Sequence, residues 1–184
     1  MLQYITELDG RILLLIQEFL RSEWLDPIVV FITHLGDAGT VWIVLTALLL
    51  MQKRYQKAGI SMAVALLLGF LVTNLLLKNW VMRPRPFQAI PELQALVSVG
   101  GWSFPSGHST SSAAAACAMF HRVPRYMGIP AVILAVLICL SRMYVGVHYP
   151  TDVIGGVLVG VLAAMCALRI TGRTYEKTEE RETI

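Results

Sequence analysis

Five apolar runs alternate with short polar breaks along the chain, at residues 25–51, 58–77, 106–121, 126–141 and 151–168. A bilayer crossing takes roughly 20 mostly apolar residues, so the pattern predicts membrane-spanning helices. Asp26-Pro27 opens the first run, with proline suited to a first helical turn. Gly36-Asp37-Ala38-Gly39 interrupts it, as a kink or as a tight turn between two half-length helices. His34 and Asp37 read as local polar contacts at that break, with approach to a functional site as the alternative. The third run carries Ser111-Ser112-Ala113-Ala114-Ala115-Ala116, and the fifth carries Gly156 and Gly160. Small residues let helices pack closely in lipid, so the third run is expected at the centre.

Residues 1–24 are amphipathic, with Ile12, Leu13, Ile16, Phe19 and Leu20 at helical spacing and Arg11, Gln17, Glu18 and Arg21 on other faces. They predict an interfacial helix, with a first crossing as the alternative. Residues 79–104 form a proline-rich loop of unusual length, and such loops are usually functional. Residues 172–184 form a polar tail. The expected architecture is therefore an all-α membrane bundle of five or six transmembrane helices. Its parts are an amphipathic segment (1–24), a single domain (25–171) and the tail.

Composition agrees. Hydrophobic residues make up 56% and charged residues 15%, with a mean hydropathy of +0.65. A soluble domain of 184 residues has no interior large enough to hide so much apolar surface. The net charge of +3 is small, and the basic residues sit at the ends of runs, so no nucleic-acid partner is expected. Cys117, Cys139 and Cys166 lie inside apolar runs and predict neither a disulfide framework nor a metal site. The N-terminus does not read as a secretory signal. Lys53, Arg54, Lys57, Arg122, Arg125, Arg169 and Arg173 fall on one side of a five-span arrangement, which should be cytoplasmic.

Three clusters at the opposite ends of the runs hold the chemistry: 78–86, 105–108 and 141–152. The topology brings Lys78, Arg85, Arg142, His108 and His148 to one membrane face, with Asp152 the one acid in these clusters. Such an excess of fixed positive charge calls for an anion, and arginine forks match phosphate oxygens. Ser106 is a good N-cap, and Gly107 leaves the first helical N–H groups open, which suits the same anion. His148 and Asp152 stand four residues apart, so the carboxylate can orient one imidazole nitrogen and free the other as a nucleophile. His108 sits across the site as a proton donor. His34 and His121 lack such partners and read as structural.

These residues resemble the signature of the type 2 phosphatidic acid phosphatase (PAP2) superfamily. Six residues separate Lys78 from Arg85-Pro86, Pro105-Ser106-Gly107-His108 is intact, and Ser141-Arg142 leads through five residues to His148 and on to Asp152. The combination is specific, whereas Pro-Ser-Gly-His alone is weak. The resemblance implies that Lys78, Arg85 and Arg142 bind the phosphoryl oxygens, helped by Ser106 and Gly107. It implies that His148 becomes a phosphohistidine, that Asp152 orients it, and that His108 protonates the leaving group and then helps activate water. No metal or cofactor is implied. Arg83 stays outside this set, as an assisting or headgroup-binding residue. The expected substrate is a membrane lipid phosphate or diphosphate at the exterior or periplasmic face of the inner (plasma) membrane. Undecaprenyl diphosphate comes first, then phosphatidylglycerophosphate, phosphatidic acid or lipid A phosphates. A non-catalytic lipid-phosphate binder or transporter is the reading from another class. Oligomeric state is left open.

Overall fold

The computed structural model describes the backbone of residues 2–182 and the side chains of residues 6–172. Among the described residues every regular element is helical. In chain order these are α1 (Leu2–Phe19), α2 (Asp26–Leu35), α3 (Thr40–Met51), α4 (Gln56–Phe70), α5 (Lys78–Val81), α6 (Pro86–Ala89), α7 (Gly107–Phe120), α8 (Arg125–Tyr144) and α9 (Pro150–Glu182). A π-helical stretch, Leu71–Leu77, joins α4 to α5. Most of the tail, residues 173–184, lies outside the described side chains.

By length and composition three segments among the described residues suffice to cross a membrane: Lys53–Ala89, Arg125–Tyr144 and Pro150–Gly172. A fourth exists if α2 and α3, bent by 44° at Asp37–Gly39, count as one crossing. The third run forms a helix with nearly the expected bounds but is too short for a full crossing. α7 has 14 residues, about 21 Å at 1.5 Å per residue, against a hydrocarbon core of about 30 Å. Instead of meeting lipid, it is enclosed by α4, α8 and α9.

The bundle is apolar outside and small or polar within. Ile154, Leu158, Leu162 and Met165 on α9, and Ile129, Ile133, Val136 and Leu140 on α8, are exposed in helical stripes. Facing inward are Ala113–Ala116, Ser109, Thr110, Ser112 and Thr73, around Trp42, Met62 and Ile138. Hydroxyls pair across helices, as Thr73 Oγ1 does with Thr110 Oγ1 at 2.9 Å, and Trp42 Nε1–H donates to Ser112 Oγ at 2.9 Å. α9 packs on α7 through the paired glycines. A Cβ on Gly156 would lie 2.5 Å from the Ser106 carbonyl oxygen, and one on Gly160 would lie 2.5 Å from that of Thr110.

α1 follows the same inside-out rule. Asp9, Gly10 and Leu13 face the bundle, while Leu8, Leu15, Phe19 and Leu20 point away from it. The expected apolar stripe is thus split: Leu13 and Ile16 pack inward, Phe19 and Leu20 turn outward, and a carboxylate turns in. The 79–104 loop lies folded across α1 and the residue 145–149 turn, with Leu93 against Leu13 and Tyr149, and Leu96 N–H on the Val145 carbonyl at 3.0 Å.

Gly160→Ala should lower the thermal unfolding midpoint in detergent. The new methyl group meets a backbone carbonyl that has no room to move, and overpacking of this kind costs about 1–3 kcal/mol. An unchanged midpoint would show that α7 and α9 are not held at this distance.

Candidate active site

α8 ends at Tyr144, and a turn through Gly146 (φ 77°) leads into Pro150 at the start of α9. The turn buries His148 beside the first turn of the new helix. Asp152, fully buried there, accepts the Tyr149 N–H at 2.9 Å through Oδ2, which lies 3.6 Å from His148 Nδ1. The Ser103 hydroxyl bridges the pair, 2.5 Å from Asp152 Oδ2 and 3.4 Å from His148 Nδ1. On the far side of the ring, Arg85 Nη1 stands 3.3 Å from Nε2. A guanidinium can only donate, so Nε2 must be the acceptor and the neutral ring carries its proton on Nδ1. Burial, reinforced by the charges of Arg85 and Arg142 against that of Asp152, pushes the His148 pKa down to about 3. The ring is a neutral base with its lone pair turned away from its carboxylate.

The three expected cations converge on this ring and on the start of α7. Arg85 is buried and held by carbonyls: Nε donates to Gly101 O at 3.0 Å, Nη2 to Gly100 O at 2.8 Å and Nη1 to Val147 O at 3.0 Å. Arg142 is buried, donates from Nη1 to Thr33 Oγ1 at 2.5 Å, and leaves Nε without a partner among the described residues. An orphaned buried donor of this kind is what an arriving anion would satisfy. The π-helical stretch delivers Lys78 next to Gly107, where an added Cβ would sit 3.7 Å from Lys78 Nζ. Ser106 caps α7 by accepting the Ser109 N–H at 3.3 Å, and its own N–H donates to the Asp152 carbonyl at 3.0 Å. That bond ties the start of α7 to the start of α9.

His108 also has a carboxylate, which corrects the reading of Asp37 and His34 as merely local. The break between α2 and α3 puts Ala38 (φ 51°) and Gly39 (φ 73°) in the left-handed region, and Asp37 projects from it. Asp37 Oδ1 lies 3.0 Å from His108 Nε2, and Oδ2 lies 2.7 Å from His34 Nδ1. The missing side chain of Gly36 makes this possible, since a Cβ there would fall 2.6 Å from His108 Cδ2. His121 bonds only its own helix, through Cys117 O at 2.9 Å.

Asp152 is thus not the one acid at this end of the bundle. Arg83, set aside on sequence grounds, reaches it at 2.8 Å and reaches Asp9 of α1 at 2.9 Å. Sequence reasoning missed Ser103, Asp9 and the role of Asp37. Ser103 is one polar loop residue among many. The available signal for Asp37 was a carboxylate inside an otherwise apolar run, which is rarely accidental, whereas Asp9 stands between Glu7 and Arg11 in a polar stretch that offers no such signal. Beside Lys78, Gly107 and His108 opens a cavity of about 470 Å³, walled by Ile43, Leu66 and Phe70 of α3 and α4. The arrangement can hold a phosphoryl group among fixed cations, with an apolar channel beside it and a neutral imidazole against it.

The chain is similar to known proteins in sequence and in fold. The PAP2 superfamily model matches residues 58–176. An undecaprenyl-diphosphatase of Sulfolobus acidocaldarius is 35% identical over 148 residues, covering 79% of this chain and 70% of the relative. Phosphatidylglycerophosphatase B of Bacillus subtilis is 30% identical over 154 residues, covering 78% of this chain and 73% of its own. Among solved structures, the transmembrane PAP2-type phosphatidylglycerolphosphate phosphatase from Bacillus subtilis superposes with a TM-score of 0.77 at 27% identity, over 92% of this chain and 87% of that one.

Titration of ¹⁵N-histidine-labelled protein should find His148 neutral, with its proton on Nδ1, down to pH values far below the ordinary 6.5. The unfolded chain takes up the proton that the folded site refuses, so stability should fall as pH drops from about 6.5 toward 3. A His148 ring that titrates at 6 or above would refute the buried neutral base.

Proposed function

The chain belongs to the PAP2 superfamily of membrane lipid phosphatases, and we propose that it hydrolyses undecaprenyl diphosphate through a phosphohistidine on His148. The observation that carries this reading is the ring of His148, with Nδ1 toward Ser103 and Asp152 and Nε2 toward Arg85. The substrate phosphoryl group displaces the weak Arg85–Nε2 contact and takes its oxygens to Lys78, Arg85 and Arg142, with Ser106 and Gly107 at the helix N-terminus. Nε2 attacks phosphorus, a P–N bond forms and the P–O bond to the leaving group breaks. Asp152 holds the Nδ1 proton in place as the ring becomes positive. His108 enters as the imidazolium, with its Nε2–H donated to Asp37, and gives its Nδ1 proton to the leaving oxygen, which leaves it neutral. In the second half His108 takes a proton from water, whose oxygen attacks phosphorus, and His148 is released. Fixed cations supply the charge stabilisation at each step, so the reading needs no metal or cofactor.

Two features favour a polyprenyl diphosphate: the 35% identity to an undecaprenyl-diphosphatase and the apolar wall running from Lys78 along α3 and α4. Phosphatidylglycerophosphate, phosphatidic acid and lipid A phosphates are the competing substrates. We place α1 at the interface and count five crossings, taking α7 as a short one shielded by its neighbours. The site then faces the exterior or periplasm, with the exposed Trp24, Trp80 and Trp102 at its membrane boundary.

The test is phosphate release by purified protein in detergent against undecaprenyl diphosphate, phosphatidylglycerophosphate, phosphatidic acid and a soluble phosphate ester. Wild type should act fastest on undecaprenyl diphosphate, and His148→Ala should lower its release by about 1,000-fold or more. Faster release from another lipid would reassign the substrate. Undiminished release by His148→Ala would remove the nucleophile. EDTA should leave the wild-type rate unchanged, and a loss restored by one divalent ion would overturn the metal-free chemistry.

A further inference from the structure

Arg83 and Asp9 lie outside the phosphate-binding set, yet they are built into the same site. Asp9 is 3% exposed although it belongs to α1, 74 residues before Arg83 in the chain. Arg83 Nη2 bonds Asp9 Oδ2 at 2.9 Å. Arg83 Nη1 bonds Asp152 Oδ1 at 2.8 Å and Thr151 Oγ1 at 2.7 Å. Asp9 closes the loop by accepting both the Thr151 N–H, at 3.2 Å, and the Thr151 hydroxyl. The Arg83 guanidinium lies over the Tyr149 ring, 3.8 Å from its centroid. Its main chain is engaged as well, since the Arg83 carbonyl accepts the Ser103 N–H at 2.8 Å.

This one residue therefore grips both oxygens of Asp152. Oδ1 is held directly by the guanidinium. Oδ2 is held through Ser103, whose hydroxyl donates to it at 2.5 Å. Both ends of the Arg83 fork are occupied, by carboxylates and a hydroxyl, and one face is covered by Tyr149. Little of it is left for a phosphate. Arg85 and Arg142, by contrast, form no ion pair with a carboxylate among the described residues.

We infer that Arg83 and Asp9 are positioning residues for the phosphatase reaction: through Asp152 they fix the orientation of His148 and the charge facing its Nδ1–H, and α1 is thereby a working part of the site. The inference rests on His148 as nucleophile. Arg83 is the one cation paired with the Asp152 carboxylate among the described residues, and a buried carboxylate that loses its cation no longer holds a fixed charge against Nδ1–H. Asp9 acts one contact further out, by pinning Arg83 and the first turn of α9 at Thr151.

The experiment compares wild type, Asp9→Asn, Arg83→Met, Arg83→Lys and the Asp9→Asn/Arg83→Met double variant, as full-length protein in detergent with undecaprenyl diphosphate. His148→Ala serves as the reference for the nucleophile. Each single variant should lower kcat by about 10- to 100-fold, the range for groups that orient a functional imidazole at one remove. KM should stay within about 3-fold, because binding in the ground state is left alone. Arg83→Lys should recover only part of the rate, since an ammonium cannot fork between Asp9 and Asp152. The double variant should be no worse than Arg83→Met, as expected of residues acting in series. In the ¹⁵N-edited spectrum the His148 Nδ1–H signal should shift and exchange faster in Arg83→Met than in wild type, while Arg85 keeps Nε2 the acceptor. Asp9→Asn is nearly isosteric and keeps the test open if Arg83→Met does not fold.

An unchanged kcat would overturn the inference, as would a raised KM at constant kcat, which would make Arg83 a headgroup ligand. So would a rate loss that only tracks the folded fraction while the His148 Nδ1–H signal stays as in wild type. If His148→Ala itself keeps full activity, the nucleophile assignment fails instead, and the ¹⁵N comparison still reports whether Arg83 and Asp9 set the ring.

Discussion

A carboxylate with no water around it has to be held by something, and the Asp152 side chain is fully buried. It sits in the first turn of α9, where the helix dipole favours negative charge. It receives the Tyr149 N–H, the Ser103 hydroxyl and the Arg83 guanidinium. Four separate stretches of chain must therefore be in place for one side chain to stay ionised: the 79–85 segment, the 99–104 loop, the 145–149 turn and the start of α9. The neutrality of His148 follows from the same arrangement. Its carboxylate is already satisfied by other donors, so burial and the neighbouring cations decide its protonation state.

The membrane bundle supplies the rigidity for this. α7 and α9 touch backbone to backbone at Gly156 and Gly160, and the contact ends at Ser106, whose N–H binds the Asp152 carbonyl. In lipid there is little hydrophobic drive between helices, so close approach of small residues and shared hydroxyls takes its place. The helix carrying the anion-binding N-terminus and the helix carrying the orienting acid are consequently fixed to each other. A bulkier α7 would separate the two halves of the site.

Much of this was legible in the sequence, for reasons of local geometry. His148 and Asp152 are one helical turn apart, Lys78 and Arg85 flank one short break, and Ser106-Gly107 caps the run that follows. Each relation is set within a few residues, so spacing reveals it. What stayed hidden depends on tertiary path. Asp9 meets Arg83 across 74 positions, and Asp37 meets His108 across 71. Nothing in the spacing of either pair announces it. The amphipathic reading of α1 found its apolar positions but not that they divide, with Leu13 and Ile16 packed inward beside Asp9 and Phe19 and Leu20 turned outward. The bounds of α7 were legible, and its enclosure was not: a helix surrounded by protein does not need to span the hydrocarbon itself.

The arginines at this end of the bundle divide according to what satisfies them. Arg83 is paired with carboxylates, and its charge is spent inside the protein. Arg85 makes four side-chain hydrogen bonds to the three of Arg83, but they go to the carbonyls of Gly100, Gly101 and Val147 and to a neutral ring nitrogen. Carbonyls satisfy N–H groups and fix a guanidinium in place without cancelling its charge. Arg142 is similar, with a hydroxyl partner and an open Nε. Hydrogen bonding and charge neutralisation have been separated, so the site is rigid and still strongly positive before any substrate arrives. A phosphoryl group gains most from donors that need no reorganisation when charge develops on its oxygens. Partner type, more than the mere presence of arginine, distinguishes the cations proposed to bind phosphate from the one that holds the acid.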